Sequence, residues 1–401
     1  MPLDKIAFWT CIGLVAYTYI VYPVSIWLMA KLFAKASWEN DDSAGDRREP
    51  PMVSMIIAAH KEEKVILDRL NNAVLMDYPA DRFEIIIGCD GQEDLTGALV
   101  GSFGDSRVRL IQFPRQRGKS SVLNDCVMQA KGEVVVFSDA NTMMAPDAVR
   151  KLVKPFRDPK VGGVCGELVL TDPTTGQNVD GIYWRFENFI KRSEGRLGAL
   201  LGVNGAIYAI RKDLYEPIPT NTIVDDFLIG MSVHRRGYRL IYEPRAVAHE
   251  ETALSIRSEF DRRSRIGAGA FQSLTWLWPM LNPLRGRVAI AFMSHKLLRW
   301  FCPGFLFLAV LTNVRLMAEP FYLRILLLHE LFYLSAMIGL VFTLGRPWNR
   351  MMRLPGMFVG MNAALAVGFW RWLTGKQGGT WKRTERSTDS DSTQQRKTVL
   401  K

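Results

Sequence analysis

The chain has 401 residues, 48% of them hydrophobic and 23% charged. A mean hydropathy of +0.02 excludes a protein that is membrane throughout and leaves a water-soluble domain with apolar segments attached. The net charge of +11, from 51 basic and 40 acidic residues, suits an anionic ligand or basic loops facing the cytosol beside a membrane.

Ile6–Ala30 is a run of 25 uncharged residues. At 1.5 Å per residue it makes roughly 38 Å of helix, enough to cross a bilayer. It is longer than a signal-peptide core and ends at Lys31 and Lys35, so residues 1–35 read as a retained anchor with the following chain in the cytosol. Residues 50–285 then alternate between two periods. Val53–Ala59, Phe83–Cys89, Val108–Phe113 and Glu133–Ser138 are continuous apolar runs, the pattern of strands buried on both faces. Glu62–Met76 and Lys119–Lys131 have helical spacing and separate them. Such repeats predict an α/β domain with a mostly parallel sheet, which binds ligands beyond the carboxyl ends of its strands. Gly269–Pro283 and the basic stretch Ser294–Trp300 predict interfacial helices. Within 288–373 the apolar segments are Trp300–Val314, Phe321–Leu344 and Leu354–Trp370, with Arg346, Arg350 and Arg353 marking a cytosolic loop. Three full crossings there put the tail, 374–401, outside, against its seven basic and three acidic residues. Residues 387–398 have a disordered composition. The five cysteines are scattered without a CxxC pair, so reduced, buried thiols are expected rather than a disulfide scaffold or a zinc site.

Acids gather where such a domain binds ligands. Asp90 follows the second strand, Asp139-Ala-Asn141 follows the fourth, and Asp225-Asp226 opens a predicted helix ending near Arg236. Each has a plain structural explanation: a turn at Asp90-Gly91, a helix cap at Asp139, an N-cap at Asp225. Two of the three fall on one sheet edge, which favours a site. An acid two residues from a polar side chain can hold a divalent cation against a pyrophosphate, and a separate carboxylate can serve as general base. Gly118-Lys119, opening a helix, and Arg262-Arg-Ser-Arg265 offer positive charge to phosphates. His60 and His249 follow apolar runs and read as packed or surface histidines before metal ligands.

In order along the chain, these residues resemble the membrane-bound family 2 glycosyltransferases, the group of bacterial cellulose, hyaluronan and poly-N-acetylglucosamine synthases. The likeness covers about residues 50–275. Val53–Glu63 looks like the family's first strand and loop, Asp90 its base-contacting aspartate, and Arg117-Gly-Lys119 with Asn124 its Gly-Lys…Leu-Asn segment. Asp139-Ala-Asn141 stands in the place of DxD, Asp226 in that of the catalytic base, and Arg262-x-x-Arg265-Ile266 in that of QxxRW. Gly202-Val-Asn204-Gly205 looks like the acceptor-side loop, and Trp381–Arg386 like a mobile gating segment. The departures are Asn141 for the second acid, Val224-Asp225 for Thr-Glu, and Ile266 for the tryptophan that borders the acceptor.

The resemblance implies a GT-A fold with N- and C-terminal transmembrane helices. It implies an inverting hexosyl transfer from a nucleotide sugar, most often a UDP-sugar, to a growing polysaccharide at the cytosolic face of the inner membrane. Asp226 is then the catalytic base; Asp90, Lys119, Asp139, Arg262 and Arg265 bind the donor; Asn204 and Gly205 face the acceptor; Asp139 and Asn141 hold Mg²⁺ or Mn²⁺. The partners are a nucleotide-sugar donor, a saccharide or lipid-linked acceptor, and membrane lipids. Nucleic acid is not among them, because the basic residues lack interleaved aromatics. Two other readings stand beside this one. Ile266 suits single transfer to a membrane lipid, as in ceramide glucosyltransferase-like proteins, and Asn141 suits an inactive nucleotide-binding scaffold.

Overall fold

A computed structural model describes residues 2–34, 49–171, 181–251, 256–341 and 346–379. The gating-like Trp381–Arg386 and the polar tail 387–398 lie outside the described residues, as do the side chains of Arg346, Arg350 and Arg353. The chain divides into two units. One comprises Met29–Gly181, Asn188–Ser258 and the chain from Gly378; the other comprises Met1–Leu28, Ile182–Glu187 and Glu259–Gln377.

The first unit is built on an eight-stranded sheet. Its strands are β1 (Val53–Ala59), β2 (Phe83–Asp90), β3 (Val108–Phe113), β4 (Val134–Asp139), β5 (Met143–Met144), β6 (Val161–Thr171), β7 (Tyr208–Arg211) and β8 (Arg239–Glu251), in the order β3-β2-β1-β4-β7-β6-β8-β5. The first four are the apolar runs expected from the sequence, and they pair in parallel. Every residue of β1 and β2 is buried, as continuous apolar strands require. The helices Ile66–Val74 and Lys119–Gln129 connect them. Gly88 lets the second helix lie close on β2, because a Cβ there would run into Val122 and Cys126.

The other half of the sheet departs from the expected parallel pattern. β7 runs antiparallel to β4 and β6, and β5 antiparallel to β8, while β6 and β8 are parallel across an irregular register. Glycines and a proline disguise these strands in the sequence. A Cβ on Gly162, Gly163 or Gly166 would lie 2.5–2.7 Å from Leu214, Leu240 or Ile207, so close packing demands the residues that strand propensity disfavours. Pro244 falls at the break in the β6–β8 register.

The second unit is helical. Its helices include Pro2–Phe33, Ile256–Leu277 from Glu259 onward, Arg287–Arg315, Pro320–Val341 and Arg346–Leu373. Phe8 and Cys11 of the first pack with Ala309, Leu316 and Tyr322. Among the described residues three helices are long and apolar enough to cross a membrane: Pro2–Phe33, Arg287–Arg315 and Pro320–Gly339. Arg346–Leu373, which contains the expected segment Leu354–Trp370, is not one of them. It packs against Pro320–Val341 and Leu298–Arg315 and also against Ile256–Leu277. Gly368 sits on that backbone, where a Cβ would be 2.6 Å from the Ser264 carbonyl oxygen. Phe271 meets Phe369 and Trp372, and Arg371 pairs with Asp261 at 2.8 Å. All five cysteines are buried and unbridged, as expected.

Candidate active site

The site grows from the carboxyl ends of β2 and β4. Asp90, the last residue of β2, is 2% exposed. Its Oδ1 accepts the Arg117 N–H at 2.6 Å and its Oδ2 the Gly118 N–H at 2.8 Å. Its carbonyl meets His60 Nδ1 at 2.6 Å, so His60 is a packed histidine, as expected. Asp90 therefore folds the loop that delivers Lys119. Gly118 has φ of +90°, a conformation glycine adopts without a Cβ penalty, and it starts the helix Lys119–Gln129 at this edge.

Lys119 is the hub. Its Nζ lies 2.7 Å from Asp139 Oδ1, at the end of β4, and 3.5 Å from Asp225 Oδ2, at the start of the helix Asp225–Arg235. Burial disfavours the ammonium, but Asp139, Asp225 and Asp226 outweigh it and hold Lys119 above its ordinary range. Asp225 is thus an ion-pair partner of Lys119 rather than the expected N-cap; Val224 takes that position and no side chain caps the helix.

Asp226 faces the glycine loop. Its Oδ2 accepts the Gly205 N–H at 3.2 Å, and its Oδ1 the Phe227 N–H at 2.8 Å. Burial and the adjacent Asp225 push its carboxyl up to about 6, against the opposing pull of Lys119 and the Phe227 N–H. A carboxylate tuned towards neutrality beside an ammonium is suited to exchanging protons.

Asn141 Nδ2 donates to Glu250 Oε1 at 3.1 Å. Its own Oδ1 has no hydrogen-bond partner among the described residues. Asn204 is buried within the protein: Nδ2 donates to the Gly166 carbonyl at 2.8 Å, Oδ1 accepts from Lys191, and its N–H points at Cys165 Sγ. It therefore shapes the loop, while Gly205 touches Asp226. Asn124 ties down Tyr215 and Ile218. Gly379 packs on the backbone of Asn221, and its carbonyl faces Gly118.

Arg262 and Arg265 belong to the other unit, where Arg262 and Arg263 both pair with Glu259. Sequence reasoning missed two residues in the first unit. Glu250 was legible only as part of His249-Glu-Glu. Tyr208 carried no signal: its ring stacks on Phe137 at 4.6 Å, and its buried hydroxyl has no partner among the described residues. Burial, Asp225 and Asp226 push that phenol upward.

Among the described residues no group of three or more His, Cys, Asp or Glu could hold a divalent cation. A Mg²⁺-type ion needs only one or two protein oxygens and completes its shell with phosphate and water; the oxygens available to one are those of Asp139, whose Oδ1 also holds Lys119 at 2.7 Å, and Oδ1 of Asn141.

This sheet, with its acids at the carboxyl ends of β2 and β4, defines a nucleotide-diphospho-sugar transferase fold of the GT-A type. The same fold is seen in the mannosyltransferase PcManGT from Pyrobaculum calidifontis, solved with GDP-Man and Mn²⁺: TM-score 0.68, 23% identity, covering 92% of this chain and 100% of that one. Residues 54–218 match Glycosyl transferase family 2, and the chain carries a domain of that family. Curated relatives include the poly-β-1,6-N-acetyl-D-glucosamine synthases of Staphylococcus epidermidis, 26% identical over 238 residues, and of Staphylococcus aureus strain COL, 27% over 229 residues. The matches cover 57% of this chain and of the first relative, and 55% of each for the second, so the chain spans rather more than half the length of the relatives it matches.

Proposed function

We propose that the chain transfers a sugar from a nucleotide-sugar donor to a growing saccharide, with inversion, at the cytosolic face of a membrane. One observation carries this reading: Lys119 draws Asp139 and Asp225 together at the sheet edge, with Asp226 next along the same helix. Its Nζ is the cation positioned to meet a diphosphate, whose oxygens compete with Asp139 for it. A resident Mg²⁺ or Mn²⁺, held by Asp139 and Asn141, would supply charge neutralisation to the departing nucleotide. Asp90 holds the Arg117-Gly118 loop against the donor. Asp226 accepts the proton of the attacking hydroxyl, and its elevated affinity for that proton suits the task. A single displacement at the anomeric carbon converts an α-linked donor into a β-glycoside. Arg262 and Arg265 are assigned to the donor phosphates by family resemblance.

The curated relatives favour a polymer product, and the pyrophosphate chemistry is common to UDP and GDP donors. Ile266, in place of tryptophan, favours the second reading, transfer of one sugar to a membrane lipid. Taking the two apolar helices after the domain as a pair of crossings returns the chain to the cytosolic side, in keeping with its basic tail. The test is nucleotide release by the purified chain from a panel that includes UDP-N-acetylglucosamine and GDP-mannose, with labelled products sized on a gel. Release with a ladder of products is expected. Release with one lipid-linked product selects the second reading, and no release from any donor defeats both.

A further inference from the structure

Asn141 differs from an aspartate in two ways that bear on a cation: it lacks a charge, and its amide can present either oxygen or nitrogen. Strand pairing decides the second. β5 begins two residues after Asn141 and runs antiparallel to β8, with Met143 opposite His249 and the Ala145 N–H bonded to the Val247 carbonyl. That register carries Asn141 to the end of β8, where Glu250 accepts its Nδ2 at 3.1 Å. Thr171 Oγ1 and the β6 ladder hold the Glu250 main chain. His249 is exposed, and alternation along the strand turns it away from Glu250. A carboxylate can only accept, so this contact commits the amide nitrogen to Glu250 and leaves Oδ1 without a hydrogen-bond partner among the described residues.

We infer that Glu250 is a positioning residue: it fixes Asn141 with its oxygen presented for a divalent cation beside Asp139, and returns at one remove the negative charge that Asn141 lacks. The inference rests on the glycosyl-transfer reading above. Groups that orient a ligand from behind typically change metal affinity 10- to 100-fold when removed.

The test is Mn²⁺ titration of the full purified chain, read by the electron paramagnetic resonance signal of free Mn²⁺, alone and with UDP or GDP. Asp139→Ala runs in parallel, and thermal melts confirm folding. Glu250→Ala is expected to weaken Mn²⁺ binding by about 10- to 100-fold and Glu250→Gln by less. Turnover at saturating Mn²⁺ should recover, giving a change in apparent KM for the metal rather than in kcat. The exchange Asn141→Asp with Glu250→Gln reverses donor and acceptor across the same contact and should restore affinity to within about threefold, well inside the loss expected for removal. Weakened binding in Asp139→Ala but wild-type affinity in Glu250→Ala overturns the inference alone. Failure of the exchange variant to recover also overturns it, and it keeps the question answerable if Glu250→Ala does not fold. Unchanged affinity in Asp139→Ala overturns the cation site itself.

Discussion

The end of β2 and the start of the helix Asp225–Arg235 each present a buried or part-buried aspartate, and the two are held in opposite ways. Asp90 has both oxygens on main-chain N–H groups of the next loop, 2.6 and 2.8 Å away. Asp226 has one N–H from its neighbour, a longer one from Gly205, and a second carboxylate beside it in the chain. The difference teaches that residue type does not set the role. A fully satisfied carboxylate is an architectural clamp; one crowded by burial and a like charge holds a proton more readily and can return it.

Four experiments break or sharpen this contrast. Replacing Asp226 with Asn should lower turnover most, by about 10²–10⁴-fold. The same variant should melt higher at neutral pH. Its carboxyl is raised from an ordinary 3.8 to about 6, so the folded state binds the proton more tightly than the unfolded state. The group therefore costs stability as pH rises from 3.8 through about 6, and that cost stands in full above 6. Removing it should raise the midpoint by roughly 2–4 °C, the shift about 1 kcal/mol produces in a domain of this size. Lower activity with no rise in melting temperature would remove burial as the cause of the shift.

Asp90→Ala is the matching change at the clamp. It strands two main-chain N–H groups at a cost of about 1–3 kcal/mol, and should lower the melting temperature and raise the donor KM roughly tenfold to a hundredfold. A loss confined to kcat would place Asp90 in the chemistry instead. The pH profile comes next: kcat/KM should rise with pH through about 6 as Asp226 ionises. Asp225→Asn should move that midpoint down, since Asp225 pushes it up. A midpoint unmoved by Asp225→Asn separates the two acids. The smallest effect belongs to Gly205→Ala, whose Cβ would sit 3.2 Å from Asp226 Oδ2. A displacement of a few tenths of an ångström should cost within about tenfold in kcat, because a full 1 Å costs about 10². Wild-type kinetics there would show that the glycine loop yields freely.

The readable half of the first unit is the half whose residues advertise themselves. β1 to β4 are uninterrupted apolar runs because both faces are covered, and the acids terminating β2 and β4 follow directly. β6 to β8 were opaque because Gly162, Gly163 and Gly166 serve packing against Leu214, Leu240 and Ile207, contacts made by distant parts of the chain. Within Leu354–Trp370 the sequence did not announce the helix contact at Gly368, which is set against Ser264 and Ala268, while Leu354 and Trp370 stay exposed.

Apolar periodicity and the order of acids along the chain determined the α/β core, the membrane-length helices and which carboxylates to examine, since those depend on local spacing and on strand ends. Only the tertiary structure decided what each carboxylate touches. Lys119 reaches Asp139 and Asp225, and Glu250 reaches Asn141, across sequence separations that no local pattern encodes. Charge and hydrogen-bond energies depend on distances of a few ångströms, and sheet order sets those distances.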